Sequence, residues 1–433
     1  MLRYLHLKNV GPAPEMTLEL APRLNLITGD NGLGKSFLLD VAWWALTRRW
    51  PAEVNLKASA GLMARPFTSG EAIIEYSFKG KMGKPSQTCL YDRRDECWTG
   101  KPGRPGNPGL VLYAQVDGGF SVWDPARNYW KSKTPDGQER QPAFVFSAKE
   151  IWDGLVSGST QLCNGLIADW ALWQKEGGEA FSQLSDVLSL LSPSPEEKLA
   201  PGELGKISIV DSRWMPTLKM PYGMDVPLPM ASAGMKRVVA LAYLLVWSWQ
   251  EHTRAAKLLD EKPTSQVTFL IDEIECHLHP RWQRTMVRAL LKVMKAVAKK
   301  ATVQLVAATH SPLLMASVEP LFDATQDAWF DLDLELPKEN EQRPKAKLRK
   351  RDFVRHGDVS NWLTSNAFDL KSARSIEAEV AIEKAKALLR RKRKPTIREV
   401  QSVDRELEKA GLPDIDPFWA RWKVFMESLG GAE

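Results

Sequence analysis

A glycine-rich loop near the N-terminus carries the residue types and the spacing that bind the phosphates of a nucleotide. The run from Gly29 to Ser36 fits the pattern G-x-x-x-x-G-K-[ST]. In such a loop, glycines let backbone N–H groups approach the phosphates, and the following helix N-terminus adds positive potential. We expect Lys35 to reach the β- and γ-phosphates and Ser36 to ligate Mg²⁺. The predicted nucleotide-binding residues are Gly29, Asp30, Asn31, Gly32, Gly34, Lys35 and Ser36.

A second group of reactive side chains lies in the other half of the chain. The apolar run Val267–Ile271 ends at Asp272 and Glu273, and the apolar run Val303–Ala308 ends just before His310. We expect Asp272 to hold the Mg²⁺ shell and Glu273 to orient and deprotonate the attacking water. A neutral imidazole at a neighbouring strand end can hydrogen-bond the γ-phosphate and that water. With Lys35, these side chains predict Mg²⁺-dependent ATP hydrolysis.

A second anion-binding surface is predicted where a long helix begins. Ser232 and Gly234 precede an apolar-periodic stretch that runs to about His252, and a serine with a glycine at a helix N-terminus can receive a phosphate. They cannot easily serve the phosphate that the first loop holds in the same chain, so they indicate a neighbouring subunit. The simpler alternative is that Ser232 is an ordinary helix N-cap.

The elements around these residues predict an α/β fold. Buried-type strands alternate with helices, which is typical of a parallel sheet covered on both faces. The pattern predicts a hairpin over 2–9 and 15–20, strands over 24–28, 267–271 and 303–308, and helices over 37–49, 234–252 and 281–299. Together they predict one head over residues 1–330.

Two insertions are predicted inside this head. Strand-like runs separated by glycine and proline turns predict an antiparallel β lobe over about 52–147, with strands over 72–78, 88–92, 110–115, 119–123 and 143–146. Helical spacing of apolar residues then predicts a helical insert over about 149–200. Two further strands are predicted over 206–211 and 217–221.

The remaining residues, 331–433, predict a basic linker and a small, mostly helical region. An acidic run of Asp331, Asp333, Glu335 and Glu339 comes first. Two basic segments follow: Arg343, Lys345, Lys347, Arg349, Lys350, Arg351 and Arg355, then Lys384, Lys386, Arg390, Arg391, Lys392, Arg393 and Lys394. Either segment could contact nucleic acid, or could be a solvated linker and helix end. Helices are predicted over about 374–393 and from Thr396. The aromatic residues Phe418, Trp419 and Trp422 either pack in the core of this region or bind a partner.

Composition limits the class of protein. The chain has 433 residues, 44% of them hydrophobic, and a net charge of +6, which predicts a globular protein with a sizeable core. The longest near-apolar run, Val238–Trp249, is too short to span a bilayer, and we expect no membrane association. The N-terminus lacks a signal-peptide pattern, and four cysteines without C-x-x-C pairing indicate reduced thiols. We therefore expect a cytoplasmic protein.

The order of these motifs resembles the ABC-type ATPases, in the branch that contains RecF, SMC and OLD proteins. The loop Gly29–Ser36 matches that family's Walker A motif, Asp272 and Glu273 its Walker B motif with the catalytic glutamate, and His310 its switch histidine. The run Ser232-Ala233-Gly234 matches the signature, although Ala-Ser-Ala-Gly-Met replaces Leu-Ser-Gly-Gly-Gln. The segment Glu275–Pro280 resembles the D-loop, which makes a metal pair of His277 and His279 improbable. The resemblance covers residues 1–50 and 225–315, and it suggests Gln115 as the Q-loop glutamine.

Within that branch the chain is similar to ATPase subunits of bacterial anti-phage defence systems, such as PtuA of Septu and the ATPases of retrons and PARIS. The resemblance implies a regulatory ATPase that pairs head-to-tail around ATP, at least as a dimer, and controls a separate nuclease subunit. The chain itself offers no Toprim or HNH pattern. The alternative is a RecF-like or SMC-like DNA-binding ATPase of DNA repair, which the basic segments favour. A transporter motor fits less well, because no membrane-coupling sequence is evident.

Overall fold

The strand that leads into the glycine loop lies inside a large sheet, and the loop leaves that strand at its carboxyl end. A computed structural model describes residues 1–78, 86–100, 106–128, 140–335, 337, 344–391, 393, 395–413 and 416–430. The chain divides into two compact units, Met1–Gly357 and Asp358–Glu433.

The strands in chain order are β1 (Leu2–Lys8), β2 (Glu15–Glu19), β3 (Leu24–Gly29), β4 (Ile73–Phe78), β5 (Gln87–Asp92), β6 (Cys97–Trp98), β7 (Leu110–Ala114), β8 (Phe120–Trp123), β9 (Phe144–Phe146), β10 (Leu155–Ser157), β11 (Thr160–Cys163), β12 (Ala200–Pro201), β13 (Thr217–Lys219), β14 (Asp225–Pro227), β15 (Gln266–Ile271), β16 (Thr302–Ala308), β17 (Asp327–Glu335) and β18 (Lys345–Arg351). The helices are α1 (Lys35–Thr47), α2 (Pro51–Val54), α3 (Pro125–Asn128), α4 (Ala148–Asp153), α5 (Leu166–Glu176), α6 (Glu179–Leu190), α7 (Ala233–Leu258), α8 (Pro280–Gln283), α9 (Met286–Val297), α10 (Pro312–Val318), α11 (Val359–Leu363), α12 (Ile376–Arg390), α13 (Ile397–Lys409) and α14 (Pro417–Gly430).

The central sheet of the first unit has eight strands in the order β18-β17-β3-β16-β15-β7-β8-β9. Its five middle strands, from β17 to β7, run parallel, and antiparallel hairpins extend both edges. Strands β3, β16 and β15 are neighbours, so their carboxyl ends meet at one edge. The predicted parallel sheet is confirmed. The segments that follow β3, β15 and β16 therefore lie at the same edge of the sheet.

Helix α1 is buried on nearly all sides because it lies between two sheets. A second sheet, β2-β1-β4-β5-β6, is antiparallel and packs with α1 and the central sheet in one apolar cluster. Trp43 and Trp44, which are about 100° apart around the helix, are both buried. The predicted hairpin of the first two strands belongs to this second sheet.

Several predicted elements differ in the structure. The strands of the predicted β lobe are divided: β4 to β6 join the second sheet, whereas β7 to β9 belong to the central sheet because β7 pairs in parallel with β15. Residues 206–211 form no strand, and Ile209 and Val210 are fully exposed there. The helix predicted over 281–299 is two helices, α8 and α9. The helical insert predicted over 149–200 contains α4 to α6, but also the hairpin β10–β11.

The predicted boundary at residue 330 differs from the boundary of the compact units. Strand β17 continues the central sheet beside β3, and β18 pairs with β17. The acidic run and the first basic segment therefore face each other across one hairpin. Its ion pairs include Arg351–Asp331 at 3.0 Å, Arg349–Asp333 at 3.5 Å, Arg349–Glu335 at 3.1 Å and Lys347–Glu335 at 3.4 Å. Much of the predicted basic linker is thus an edge strand whose charges are partly neutralised within the chain; Glu339 and Arg343 lie outside the described residues.

The second unit contains α11 to α14 around its own small core. Helix α13 begins with a capping box in which Thr396 and Glu399 satisfy each other's backbone N–H groups, as the sequence predicts. Phe418 and Trp422 are buried in that core, with Trp419 packed against it. These aromatic residues therefore serve the packing of this unit, the first of the two alternatives.

Among the described residues, no helix combines the length and the apolar character needed to cross a membrane.

Candidate functional site

The glycine loop presents backbone donors at the start of α1. Gly34 is the N-cap with φ of 101° and contributes no capping side chain, so the first N–H groups of the helix are open to an anion. Gly29 has φ of 133°, and a Cβ there would lie 2.1 Å from the carbonyl oxygen of Leu332 on β17. Only glycine fits this position, because the loop leaves β3 against the neighbouring strand.

Lys35 is folded over the loop that it is predicted to serve. Its ammonium donates to the carbonyl oxygens of Gly29 at 2.7 Å and Asp30 at 2.8 Å. Burial lowers the pKa of Lys35, and the nearby carboxylates of Glu273 and Asp272 oppose that shift. The ammonium is therefore held at the phosphate loop with acidic partners close by.

Asp272 is the side chain that most clearly indicates a cation-binding site. It follows β15 directly and is 1% exposed, and neither carboxylate oxygen has a hydrogen-bond partner among the described residues. Burial raises the pKa of Asp272, while Ser36 and Lys35 oppose that shift. A buried carboxylate without a donor is costly unless a cation or water completes it. Together with the Ser36 hydroxyl, this oxygen donor set fits Mg²⁺.

Glu273 and His310 lie next to each other at the ends of β15 and β16. His310 Nε2 is 3.8 Å from Glu273 Oε1, and both side chains are about one-third exposed. Glu273 has φ of 43°, a strained conformation for a non-glycine residue that concentrates at functional sites. Burial, followed by the charge of Lys35, lowers the pKa of His310, which favours the neutral imidazole.

Glu275 holds the segment of Thr309 and His310 in place. From the sequence alone, this residue is assigned only to the D-loop segment. One carboxylate oxygen accepts a hydrogen bond from Thr309 Oγ1 at 2.8 Å, and the other accepts from the backbone N–H of His310. Burial raises the pKa of Glu275, and these donors oppose the shift. The signal in the sequence was a second glutamate two residues after Glu273, whose partner only the fold reveals.

The start of α7 contacts the segment that follows Glu273. Ser232 is the exposed N-cap of this helix and accepts from Met235 N–H at 3.3 Å, as the simpler alternative predicts. A Cβ on Gly234 would lie 2.6 Å from the carbonyl oxygen of His277, so glycine allows this close approach. Arg237 donates to the carbonyl oxygens of Asp272 and Glu273 at 3.2 and 3.4 Å. The first turns of α7 are therefore joined to the segment after β15 through the Arg237 side chain and the backbone contact at Gly234.

Gln115 follows β7, the neighbour of β15, and is 1% exposed. The backbone N–H of Asp272 donates to the carbonyl oxygen of Ala114 at 2.9 Å, which places the backbone of Gln115 next to that of Asp272. Its side-chain nitrogen has no partner among the described residues. The position agrees with a Q-loop glutamine, and its role stays a prediction.

The parallel sheet, the glycine loop before α1 and the acidic and histidine segments on neighbouring strands form the arrangement expected of an ABC-type ATPase head. A family model described as "AAA domain, putative AbiEii toxin, Type IV TA system" matches residues 24–316, and the chain belongs to that family of ATPase domains.

Two curated relatives are probable ATPases of retrons, in agreement with the predicted resemblance to defence ATPases. The "Retron Ec83 probable ATPase" of Escherichia coli is 31% identical over 101 residues, 23% of this chain and 14% of that protein. The "Retron Vc95 probable ATPase" of Vibrio cholerae serotype O1 biovar El Tor is 43% identical over 49 residues, 11% of this chain and 8% of that protein. The matched regions thus span a small part of both relatives.

Solved SMC head domains are also similar to the chain. The SMC head domain from Thermotoga maritima has a TM-score of 0.38 at 15% identity, covering 81% of this chain and 99% of the other. The Smc head domain with an extended coiled coil from Pyrococcus furiosus, bound to the C-terminal domain of ScpA, has a TM-score of 0.39 at 13% identity, covering 81% and 96%.

Proposed function

We propose that the chain is a Mg²⁺-dependent ATPase and the regulatory subunit of a defence complex. The observation that carries the hydrolytic part is Asp272, whose buried carboxylate has two unpartnered oxygens beside Lys35 and Ser36. Family membership and the retron relatives support the ATPase class and the association with defence.

Each residue of the site has a distinct part in this proposal. The loop N–H groups and Lys35 bind the phosphates of ATP, and Lys35 exchanges its two carbonyl partners for phosphate oxygens. Ser36 and Asp272 would hold Mg²⁺, which neutralises charge on the phosphates when bound. Glu273 accepts the proton of the attacking water, and the neutral imidazole of His310 donates to the γ-phosphate. Glu275 keeps the His310 backbone in place.

We further propose that two copies pair head-to-tail, with Ser232 and Gly234 of one copy completing the phosphate site of the other. Ser232 is exposed at the N-terminus of α7, so a γ-phosphate can reach it. ATP would then bridge two surfaces, and hydrolysis would remove the bridge.

Light scattering with ATP tests this pairing. The Glu273→Gln variant, which should retain ATP, should double its mass when ATP is added. Adding Ser232→Arg should abolish the doubling, because the arginine occupies the opposing surface. Ser375→Arg is the matched control, since Ser375 is also an exposed serine N-cap, on α12, and it should leave the doubling unchanged. A dimer that Ser232→Arg does not affect would contradict the head-to-tail arrangement.

The separate nuclease subunit is the remaining part of the proposal. It is supported by the resemblance to defence ATPases, because the sequence offers no nuclease pattern of its own. A tagged chain expressed with its neighbouring genes should co-purify with a nuclease, identified by mass spectrometry. Recovery of the tagged chain alone under those conditions would exclude a stable complex.

The alternative role in DNA repair loses part of its support in the structure. The first basic segment pairs with β17, and in the second segment Lys384 pairs with Glu406 and Arg391 with Glu399. Lys392 and Lys394 lie outside the described residues. The paired charges have less capacity to bind phosphates than the sequence alone indicated.

A further inference from the structure

A row of exposed cations lies along α8 and α9 and continues beyond the end of α9. It consists of Arg281, Arg284, Arg288, Lys292, Lys295, Lys299 and Lys300, and all seven are exposed. Within α9, intervals of four and three residues place Arg288, Lys292 and Lys295 on one helix face, with neighbouring Cβ atoms about 5–6 Å apart. The other four cations flank this face: Arg281 lies on α8, Arg284 in the turn between the two helices, and Lys299 and Lys300 in the turn after α9. The opposite face, from Met286 to Val297, is buried in the first unit. We call the seven residues the α9 cation row.

The α9 cation row contains charges of one sign only. The sequence has no acidic residue between Glu275 and Glu319. In the part of the chain that the structure describes, Arg281 pairs with Glu197, and the other six cations form no ion pair. Helix α13, by contrast, alternates arginines with glutamates on its exposed surface. Solubility alone favours a surface on which charges of both signs are interspersed, so a face with cations only is unusual.

Helix stability does not account for the row. Cations near a helix C-terminus are favourable because of the helix dipole, and this explains Lys295 and Lys299. At the N-terminal end of α9 the same dipole disfavours positive charge, yet Arg288 lies in the first turn, which contains no acidic residue. Like charges one turn apart also repel each other. Local electrostatics therefore disfavours this arrangement of cations.

We propose that the α9 cation row binds the phosphodiester backbone of nucleic acid. A polyanion relieves the repulsion along the row, and each neutralised phosphate releases bound counterions. The site would read no sequence, because long cationic side chains on a surface contact phosphates rather than base edges. This inference does not depend on ATP hydrolysis, and it places nucleic-acid contact on the head rather than on the C-terminal basic segments.

Fluorescence anisotropy with a labelled duplex DNA of arbitrary sequence, measured over a range of NaCl concentrations, tests the proposal. Triple substitution Arg288→Glu, Lys292→Glu and Lys295→Glu should weaken binding by about tenfold or more at low salt. It should also reduce the slope of log K against log[salt] by up to about 2.7, from about 0.9 for each lost phosphate contact. Single-stranded DNA and duplex RNA of the same sequence identify which nucleic acid binds best.

The matched control reverses the same number of charges on α12, with Lys384→Glu, Lys386→Glu and Arg390→Glu, and should retain the parent affinity and slope. Thermal melting confirms that both triple variants fold, and Arg288→Gln, Lys292→Gln and Lys295→Gln provide a milder set if reversal unfolds the helix. Three results would overturn the proposal: no binding by the parent chain, equal loss in the control, or competition by polyglutamate as effective as competition by DNA. The last result would assign the row to an acidic protein.

Discussion

Replacing Glu273 with glutamine should reduce ATP hydrolysis by about 10²-fold to 10⁴-fold while ATP remains bound, because general-base catalysis contributes about that factor. Glutamine keeps the size of the side chain and the position next to His310, at 3.8 Å in the parent, but cannot accept the proton of water. Phosphate release measures turnover, and equilibrium dialysis with radiolabelled ATP measures binding. The expected pattern is a large loss of kcat with an unchanged or lower Kd.

The comparison variant is Lys35→Ala, which should lose ATP binding itself. Lys35 lies at the loop with its ammonium on two loop carbonyl oxygens, and its removal takes away the charge that meets the phosphates. The two variants thus separate binding from chemistry. Hydrolysis by Glu273→Gln at the parent rate would remove Glu273 from the role of base, and nucleotide retained by Lys35→Ala would contradict the phosphate site.

The sequence predicted the local parts of this site well because each motif specifies its own backbone. The glycine loop requires a strand before it and a helix after it, and the structure has β3 and α1 there. The apolar runs before Asp272 and before His310 are long enough to be buried strands, and parallel strands place their carboxyl ends together. Motif order alone therefore located the edge of the sheet where these residues meet.

The parts that the sequence did not predict depend on pairing between distant segments. Strands β7 to β9 are short and separated by turns, as in an antiparallel lobe, and only the parallel pairing of β7 with β15 places them in the central sheet. The basic run Lys345–Arg351 has the composition of a linker, and its partner is the acidic strand β17. Register between such segments is set by tertiary packing, which local patterns do not encode.

Glu275 is a further residue whose contacts depend on the fold and not on the local sequence. Its replacement should have the second large effect that we expect. Glu275→Ala should lower kcat by about 10²-fold, because it frees the Thr309 hydroxyl and the His310 backbone N–H, and a displacement of about 1 Å at a catalytic group can have that effect. ATP affinity should change little, since Glu275 contacts neither the glycine loop nor Asp272 among the described hydrogen bonds.

The glutamine variant decides between a positioning role and a need for charge at this site. In Glu275→Gln the amide oxygen can accept from the His310 N–H, and the amide nitrogen can donate to the Thr309 hydroxyl, which is also an acceptor. Hydrolysis by this variant should therefore stay within a few-fold of the parent. Loss equal to that of Glu275→Ala would instead mean that the carboxylate charge acts on the reaction.

A general loss of stability is separated from this effect by Glu319→Ala. Glu319 is a buried carboxylate that, like Glu275, accepts from backbone N–H groups, here those of His356 at 2.7 Å and Gly357 at 3.0 Å, after the end of β18. Both alanine variants take a charged acceptor away from partly buried donors, so each should lose about 1–3 kcal/mol of unfolding free energy. Only Glu275→Ala should lower the kcat of the folded protein, because only Glu275 holds the segment that carries His310. Equal kcat in the two variants would reduce Glu275 to a structural contact.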